Sequence, residues 1–93
     1  MVYADTHKFV VLVNKNLEVG RAMNAIADSC AGLAAAAPEA LREKMSFIDF
    51  TDKDHVVHPS ISGLSLIVLR GTDGELKKAR RKFIENNVLF TDF

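Results

Sequence analysis

Two apolar runs, Phe9–Val13 and Leu64–Leu69, constrain the fold of this 93-residue chain more than any other feature. Apart from Ser65, neither run shows the polar–apolar alternation that marks a strand with one face in water. Runs of this kind are typical of strands that are covered on both faces. We therefore expect both segments to be central strands of one mixed β-sheet.

An amphipathic helix is predicted after the first run. From Met23 onward the apolar residues recur at helical spacing, and the helix should end before Pro38, which disfavours helical geometry in the preceding residue. Alanines cover much of the remaining helix surface, where a second element or a second copy of the chain would approach closely. The residues expected to face the sheet are Met23, Ile26, Ala27, Cys30, Leu33, Ala34 and Ala37.

The later elements follow from turn and capping residues. A capping box of Thr72 and Glu75 marks the start of a second long helix, which Asn86–Asn87 end. The predicted order is strand, helix, hairpin, strand, helix, strand, which makes residues 1–93 a single α/β domain with flanking helices. The other predicted elements are a helical turn at Pro38–Lys44, a hairpin of Met45–Thr51 with His55–His58 that ends at Pro59, and a last strand at Val88–Phe93.

Composition narrows the class of protein. With 48% hydrophobic residues, 26% charged residues and a formal net charge of zero, the chain reads as an ordinary soluble domain with no overall attraction to DNA. No apolar run approaches the length of a membrane span, and the charged N-terminus is unlike a secretory signal. The single Cys30 cannot form an internal disulfide. We expect a cytoplasmic protein with neither a DNA nor a membrane partner.

A candidate anion site lies at the start of the first helix. Gly20 and Arg21 stand where free N–H groups of the helix point outward, so a phosphate or carboxylate would find both hydrogen-bond donors and a positive charge there. Asn24 and Asp28 share the flank beside Arg21 and would line the mouth of such a pocket. The alternative is a turn glycine followed by a solvated arginine.

Three other groups of residues carry weaker signals. Cys30 lies within the apolar stripe, where a small buried side chain is the ordinary interpretation. The cluster Asp52, Asp54, His55 and His58 matches no recognised zinc spacing, and we expect neither a metal nor a cofactor. The basic run at 77–82 is typical of a solvated helix face, the alternative being contact with a phosphate backbone.

The segment His7–Gly20, running into an alanine-rich helix, resembles the start of type-2 peptidyl-tRNA hydrolases. A closer resemblance is to an uncharacterised bacterial family that shares their fold. In that family a segment like Asn24–Ala27 follows the glycine, and a loop like Asp54–Ile61 precedes the strand Leu64–Leu69. The resemblance implies a mixed sheet of the peptidyl-tRNA hydrolase 2 type. Both relatives continue into a C-terminal segment with a further strand, which these 93 residues are expected to lack.

The resemblance also carries expectations about the site. The hydrolases have lysines, a glutamine and a histidine around their first helix, whereas this chain has Arg21 after the glycine and Cys30 in place of the histidine. Asp92 stands where the hydrolases have an aspartate, and His58 lies in a loop of the kind expected near their pocket. These departures favour a module that binds or regulates over an active hydrolase.

Three functions are therefore open. The first is a homodimeric binding or regulatory module for an anionic small molecule or an RNA end such as that of tRNA. The second is a hydrolase of peptidyl-tRNA or a related ester or amide, in which Asp92 and His58 handle protons and Arg21 holds phosphate. The third is a structural dimer without a ligand. Convergence of Gly20, Asn24, His58 and Asp92 on one pocket would favour the first two, and scattered side chains the third.

Overall fold

The computed structural model describes residues 4–92, with side chains from His7 onward. In this part of the chain, strands and helices alternate as an α/β arrangement with two small sheets. The elements are β1 (Ala4–Asn14), α1 (Val19–Ala36), α2 (Glu39–Glu43), β2 (Phe47–Thr51), β3 (Val57–Ser62), β4 (Leu64–Gly71) and α3 (Asp73–Glu85).

The two apolar runs form the parallel pair β1–β4, in which Phe9 lies opposite Leu66. The prediction of two strands is confirmed, but their central position is wrong within residues 4–92, because this sheet has two strands and each keeps an open edge. Val10 and Leu69 are 55% and 50% exposed. Both long helices line one groove beside β1, and Leu66–Leu69 of β4 remain 37–50% exposed.

The strands β2 and β3 form a separate antiparallel hairpin, so the single mixed sheet expected from the sequence is wrong for the described residues. The strand β3 also runs through Pro59 to Ser62 rather than ending at Pro59. The register shifts between Ile48 and Phe50, and the proline lies opposite this irregularity. An irregular position tolerates a residue without an N–H group, which explains why the strand continues.

The helix α1 ends at Ala36, and α2 follows with Pro38 as its N-cap residue, as the proline predicts. The guanidinium group of Arg42 donates hydrogen bonds of 3.0–3.1 Å to the carbonyl oxygens of Ala34, Ala35 and Ala37. These carbonyls belong to the end of α1, where helical partners are missing and positive charge is favourable. Arg42 therefore fixes the angle between the two helices.

The inward face of α1 is only partly the predicted one. Ile26, Cys30, Leu33 and Ala34 are half-buried and Ala37 is buried, but Met23 is 65% exposed and Ala27 is also exposed. Their places in the groove are taken by Ala25 and Ser29. The helix is thus rotated so that these smaller side chains face the cavity beside β1. Apolar spacing located the stripe but missed this rotation.

The start of α3 is as predicted. The Thr72 hydroxyl accepts the N–H of Glu75 at 3.2 Å, and the Glu75 carboxylate accepts the N–H of Thr72 at 3.0 Å. Asn86 is the C-cap residue, and Asn87 takes a left-handed conformation at φ 53°. Asparagine adopts this conformation more readily than most residues, so the pair ends the helix.

The last predicted strand is wrong over residues 88–92, and Phe93 lies outside the described residues. After α3 the chain turns back, with the Val88 N–H donating to the Phe83 carbonyl at 2.9 Å. It then crosses to α1, where the Thr91 hydroxyl donates to the Ser29 carbonyl at 3.2 Å. The β-branched and aromatic composition indicated a strand, but these residues bond to helices and not to a sheet edge.

The buried core is small. Ala37, Met45 and Leu64 form its centre, each at most 6% exposed, and Phe9, Leu33 and Ala34 pack against it. It therefore joins the end of α1 to the start of β4. None of the helices within residues 4–92 is long and apolar enough to cross a membrane.

Candidate functional site

The first turn of α1 forms an open notch. Gly20, Arg21 and Asn24 line it, together with Leu17, Glu18 and Ala25. Glu18 is the N-cap residue, but its side chain accepts no hydrogen bond from the helix. The first N–H groups of a helix have no partner within it, and here no side chain caps them. The notch therefore offers backbone donors beside the arginine.

The charges around this notch have opposite effects on an anion. Arg21 is exposed and forms no ion pair within the described residues. Asn24 Nδ2 donates a hydrogen bond to Asp28 Oδ2 at 3.3 Å, which draws Asp28 along the helix to Asn24. Glu18 brings a carboxylate to the same notch. A phosphate at this corner would gain from Arg21 and the N–H groups and would be repelled by Glu18.

A second cavity of about 490 Å³ lies between β1, α1, α3 and the C-terminal segment. Its volume falls in the range of small-molecule sites. Its walls are mostly apolar, and its polar rim includes Arg80 paired with Asp92 and Asn14 bonded to Asp73. Cys30 also lines this groove, and burial raises the pKa of its thiol. A raised pKa keeps the thiol protonated and a poor nucleophile.

Asp92 is engaged in a structural contact. Its carboxylate accepts a 2.6 Å hydrogen bond from Arg80 Nε. The same guanidinium lies 5.7 Å from the ring centroid of Phe90, and that ring packs 5.6 Å from the ring of Phe83. These contacts hold the C-terminal segment against α3. Asp92 thus has a partner that anchors the chain, and it lines the groove beside β1 and not the notch at the start of α1.

His58 is located on the hairpin, where Asp52 Oδ2 lies 2.8 Å from its Nε2 atom. Asp52 Oδ1 also accepts the N–H groups of Asp54 and Val56 at 2.9 and 3.0 Å. The hydrogen bond with His58 lowers the pKa of Asp52 most, and the Val56 N–H lowers it further. These bonds order the turn, in which His55 has φ 64°. The arrangement explains the pair as the organiser of a hairpin tip.

The structure brings together some of the predicted site residues. Gly20, Arg21 and Asn24 share one notch, and Asp28 is bonded to its edge. Asp92 lines the groove beside β1, whereas His58 lines neither cavity. The four residues whose convergence would favour either the binding module or the hydrolase therefore do not share one cavity in the described structure, and by that criterion their scatter favours the structural dimer. No group of three or more His, Cys, Asp or Glu side chains is gathered as a metal site in residues 4–92.

Sequence reasoning missed Glu18, Arg80 and the pairing of Asp52 with His58. The last pair had a usable signal, since an aspartate that starts a turn often accepts N–H groups two residues on. Glu18 stands directly before the predicted corner, in a segment whose sequence indicates only a loop. Arg80 had no such signal, because its partner is twelve residues away along the chain and reaches it only through the turn after α3.

Comparison with known proteins gives two findings. A family profile described as "Protein of unknown function (DUF2000)" matches residues 7–93. The solved structure of a protein of unknown function from Agrobacterium tumefaciens strain C58 is similar, with 19% sequence identity and a TM-score of 0.72. The match covers 86% of this chain and 56% of that one, so this chain spans little more than half of its neighbour. No curated protein matches the chain.

Proposed function

The chain belongs to the DUF2000 family of proteins of unknown function, and from its own side chains we propose that it is a binding module for a phosphate-bearing ligand. The phosphate belongs either to an anionic small molecule or to an RNA end. We place this module in the cytoplasm, where its one cysteine stays reduced.

The observation that carries the proposal is the shared notch of Gly20, Arg21 and Asn24 at the uncapped start of α1. The 18-residue helix has a full dipole, and its N-terminal N–H groups are the donors that phosphates accept. Arg21 adds a permanent positive charge. Gly20 adds no side chain to the notch, and an added Cβ atom there would only contact the end of the flexible Glu18 side chain, at 3.4 Å.

Binding is favoured over hydrolysis because the groups that would move protons are elsewhere. His58 bonds to Asp52 on the hairpin, and Asp92 bonds to Arg80 on α3. Arg21 supplies charge and hydrogen bonds and not a proton, because a guanidinium group stays protonated in proteins. The resemblance to peptidyl-tRNA hydrolases supports phosphate as the recognised group. It does not extend to hydrolysis, because the lysines, the glutamine and the histidine of that family are missing here.

We also propose that the module is a homodimer. The chain has an accessible surface of 7137 Å², whereas a compact monomer of its mass exposes roughly 5,300 Å². Its radius of gyration is 15.0 Å, against about 12 Å for a compact domain of this length. The excess surface supports a partner, and the alanines on the exposed side of α1 would not obstruct one.

The test is thermal unfolding in the presence of a phosphate probe. Inorganic phosphate and a 5′-phosphorylated RNA trinucleotide are titrated separately against the wild-type chain, Arg21→Ala and the control Lys44→Ala, which removes an exposed cation outside the notch. We expect saturable stabilisation of the wild type and the control, and its loss in Arg21→Ala, because a ligand that binds only the folded state raises Tm, whereas the general salt effect of phosphate is shared by all three proteins. A hundredfold excess over Kd would stabilise the fold by about 2.7 kcal/mol.

The two probes separate the two sources of phosphate. Stabilisation by both probes at similar concentrations indicates a site for a small anion, and stabilisation by the RNA alone indicates an RNA end. Equal stabilisation of the wild type and Arg21→Ala would contradict the assignment of the site. No stabilisation by either probe would favour the structural dimer without a ligand.

A further inference from the structure

The hairpin β2–β3 exposes apolar side chains along its length. Phe47, Ile48 and Phe50 are 42–44% exposed on one strand, and Val57 and Ile61 are 59% and 36% exposed on the other. Successive strand residues point to opposite faces, so both faces of the hairpin carry exposed apolar groups. A two-stranded hairpin is marginally stable by itself in water. A hairpin of this apolar composition is expected to pack against another surface.

A matching surface lies on β4 and α3. Four consecutive residues of β4, Leu66–Leu69, are 37–50% exposed, and the strand has an open edge within residues 4–92. The helix α3 packs beside β4 and carries Ile84, which is 52% exposed. These residues form the β4–α3 surface. Exposed apolar patches of this kind mark protein interfaces.

The charges of the hairpin and of the outer face of α3 are complementary. The hairpin turn and the strand before it hold Asp49, Asp52 and Asp54 against Lys53 alone. The outer face of α3 presents Lys77, Lys78, Arg81 and Lys82, all exposed. The formal net charge of the chain is zero, so two copies have no overall repulsion. A neutral chain with segregated charges is complementary to itself.

We propose that the hairpin of one copy docks on the β4–α3 surface of a second copy, and that the exchange is reciprocal. A two-fold axis makes each contact twice, so both arms and both surfaces are covered together. The chain exposes roughly 1,800 Å² more than a compact monomer of its mass. A stable dimer covers about 800 Å² on each partner, which this excess readily supplies.

This inference deepens the homodimer proposed above and is independent of phosphate binding. It is tested by exchanging charges. Variant A carries Asp49→Lys and Asp54→Lys on the hairpin, and variant B carries Lys77→Glu, Lys78→Glu and Arg81→Glu on α3. In a dimer of A, basic hairpins meet basic helices, and in a dimer of B acidic hairpins meet acidic helices. When A and B are mixed, both contacts pair opposite charges.

Sedimentation equilibrium measures the outcome. We expect the wild type to dimerise, and A and B alone to associate at least about tenfold more weakly, because like charges at an interface are destabilising. An equimolar mixture of A and B should recover the wild-type affinity. The control Glu43→Lys reverses an exposed carboxylate on α2 and should dimerise like the wild type. Association of the wild type should also weaken with added salt.

Two results would overturn the inference. If the wild type dimerises and A and B do so equally well, the hairpin and α3 are not the interface, although the homodimer stands. If the wild type is monomeric throughout, both the interface and the homodimer are wrong, and the apolar arm is covered by something other than a second copy. Circular dichroism of A and B checks that each variant is folded before its association is measured.

Discussion

Arg80 Nε donates a 2.6 Å hydrogen bond to Asp92 Oδ2, and this bond ties the end of the described chain to the middle of α3. The guanidinium also faces the ring of Phe90. Two weak interactions thus cooperate on a segment that has no sheet partner. The segment closes one side of the groove in which Cys30 lies.

Asp92→Asn should loosen this segment with little effect on global stability. Exposed ion pairs contribute less than about 1 kcal/mol, and both side chains here are more than half exposed. We expect a free energy of unfolding lowered by less than about 1 kcal/mol, with faster amide exchange at Thr91. Exchange monitored by NMR measures this, with Asp28→Asn as the control. Unchanged exchange at Thr91 would show that the bond does not hold the segment.

Leu64 and Leu69 give a matched test of where the core lies. They occupy the same strand, but Leu64 is 6% exposed in the core cluster and Leu69 is 50% exposed. We expect Leu64→Ala to cost about 2–5 kcal/mol, and Leu69→Ala much less in the monomeric state. Urea unfolding at low protein concentration measures both. Equal costs would mean that β4 is covered as evenly as its sequence suggests.

The capping box at the start of α3 predicts a defined loss. Thr72→Ala removes the hydroxyl that accepts the Glu75 N–H, and the loss of such a cap costs about 1 kcal/mol. Thr72→Ser keeps the hydroxyl and should retain most of the stability. Chemical denaturation of the three proteins provides the comparison. A serine variant as unstable as the alanine variant would point to lost methyl packing and not to the cap.

Acid should disorder the hairpin tip through Asp52. The hydrogen bond with His58 is the main reason that the pKa of Asp52 is lowered. A carboxylate with a lowered folded-state pKa stabilises the structure above its ordinary pKa of about 3.9, and the contribution is lost as pH falls through the folded-state value. NMR titration should show the amides of Asp54 and Val56 moving with Asp52. Titration of Asp52 at or above its ordinary value would contradict this account.

Glu18→Gln should strengthen phosphate binding at the corner of α1. The substitution removes a negative charge from the notch that Arg21 lines, while side-chain size is nearly unchanged. We expect a phosphate Kd severalfold lower than that of the wild type, and a smaller difference at high salt. The exposed Glu85 on α3 supplies the control, Glu85→Gln. Weaker binding by Glu18→Gln would mean that the ligand needs this carboxylate.

The sequence predicted the local features best. Thr72 and Glu75 form the expected cap, Pro38 separates two helices, and the apolar runs are strands, because each depends on neighbouring residues. The placement of Phe9–Val13 in the centre of a sheet failed, since burial depends on what covers a strand. An apolar composition indicates that a strand packs against other residues on its faces. The composition does not indicate whether those residues belong to the same chain or to a partner.

The candidate site shows the same difference between features set by neighbouring residues and features set by tertiary contacts. Gly20, Arg21 and Asn24 are brought together by one turn of helix, so their spacing was enough to predict a shared notch. His58 and Asp92 depended on tertiary placement, and each has its own partner on a different element. A resemblance to a family indicated these residues without fixing where they lie. The structure shows that His58 and Asp92 lie on different segments of the chain, each with its own partner.

The most direct test of the proposed binding site is a titration of the ¹⁵N-labelled wild-type chain with inorganic phosphate, followed by NMR. The account predicts saturable shifts of the Gly20, Arg21 and Asn24 amides, with the hairpin amide of His58 unchanged. Shifts confined to the basic face of α3, with the corner of α1 unmoved, would contradict it.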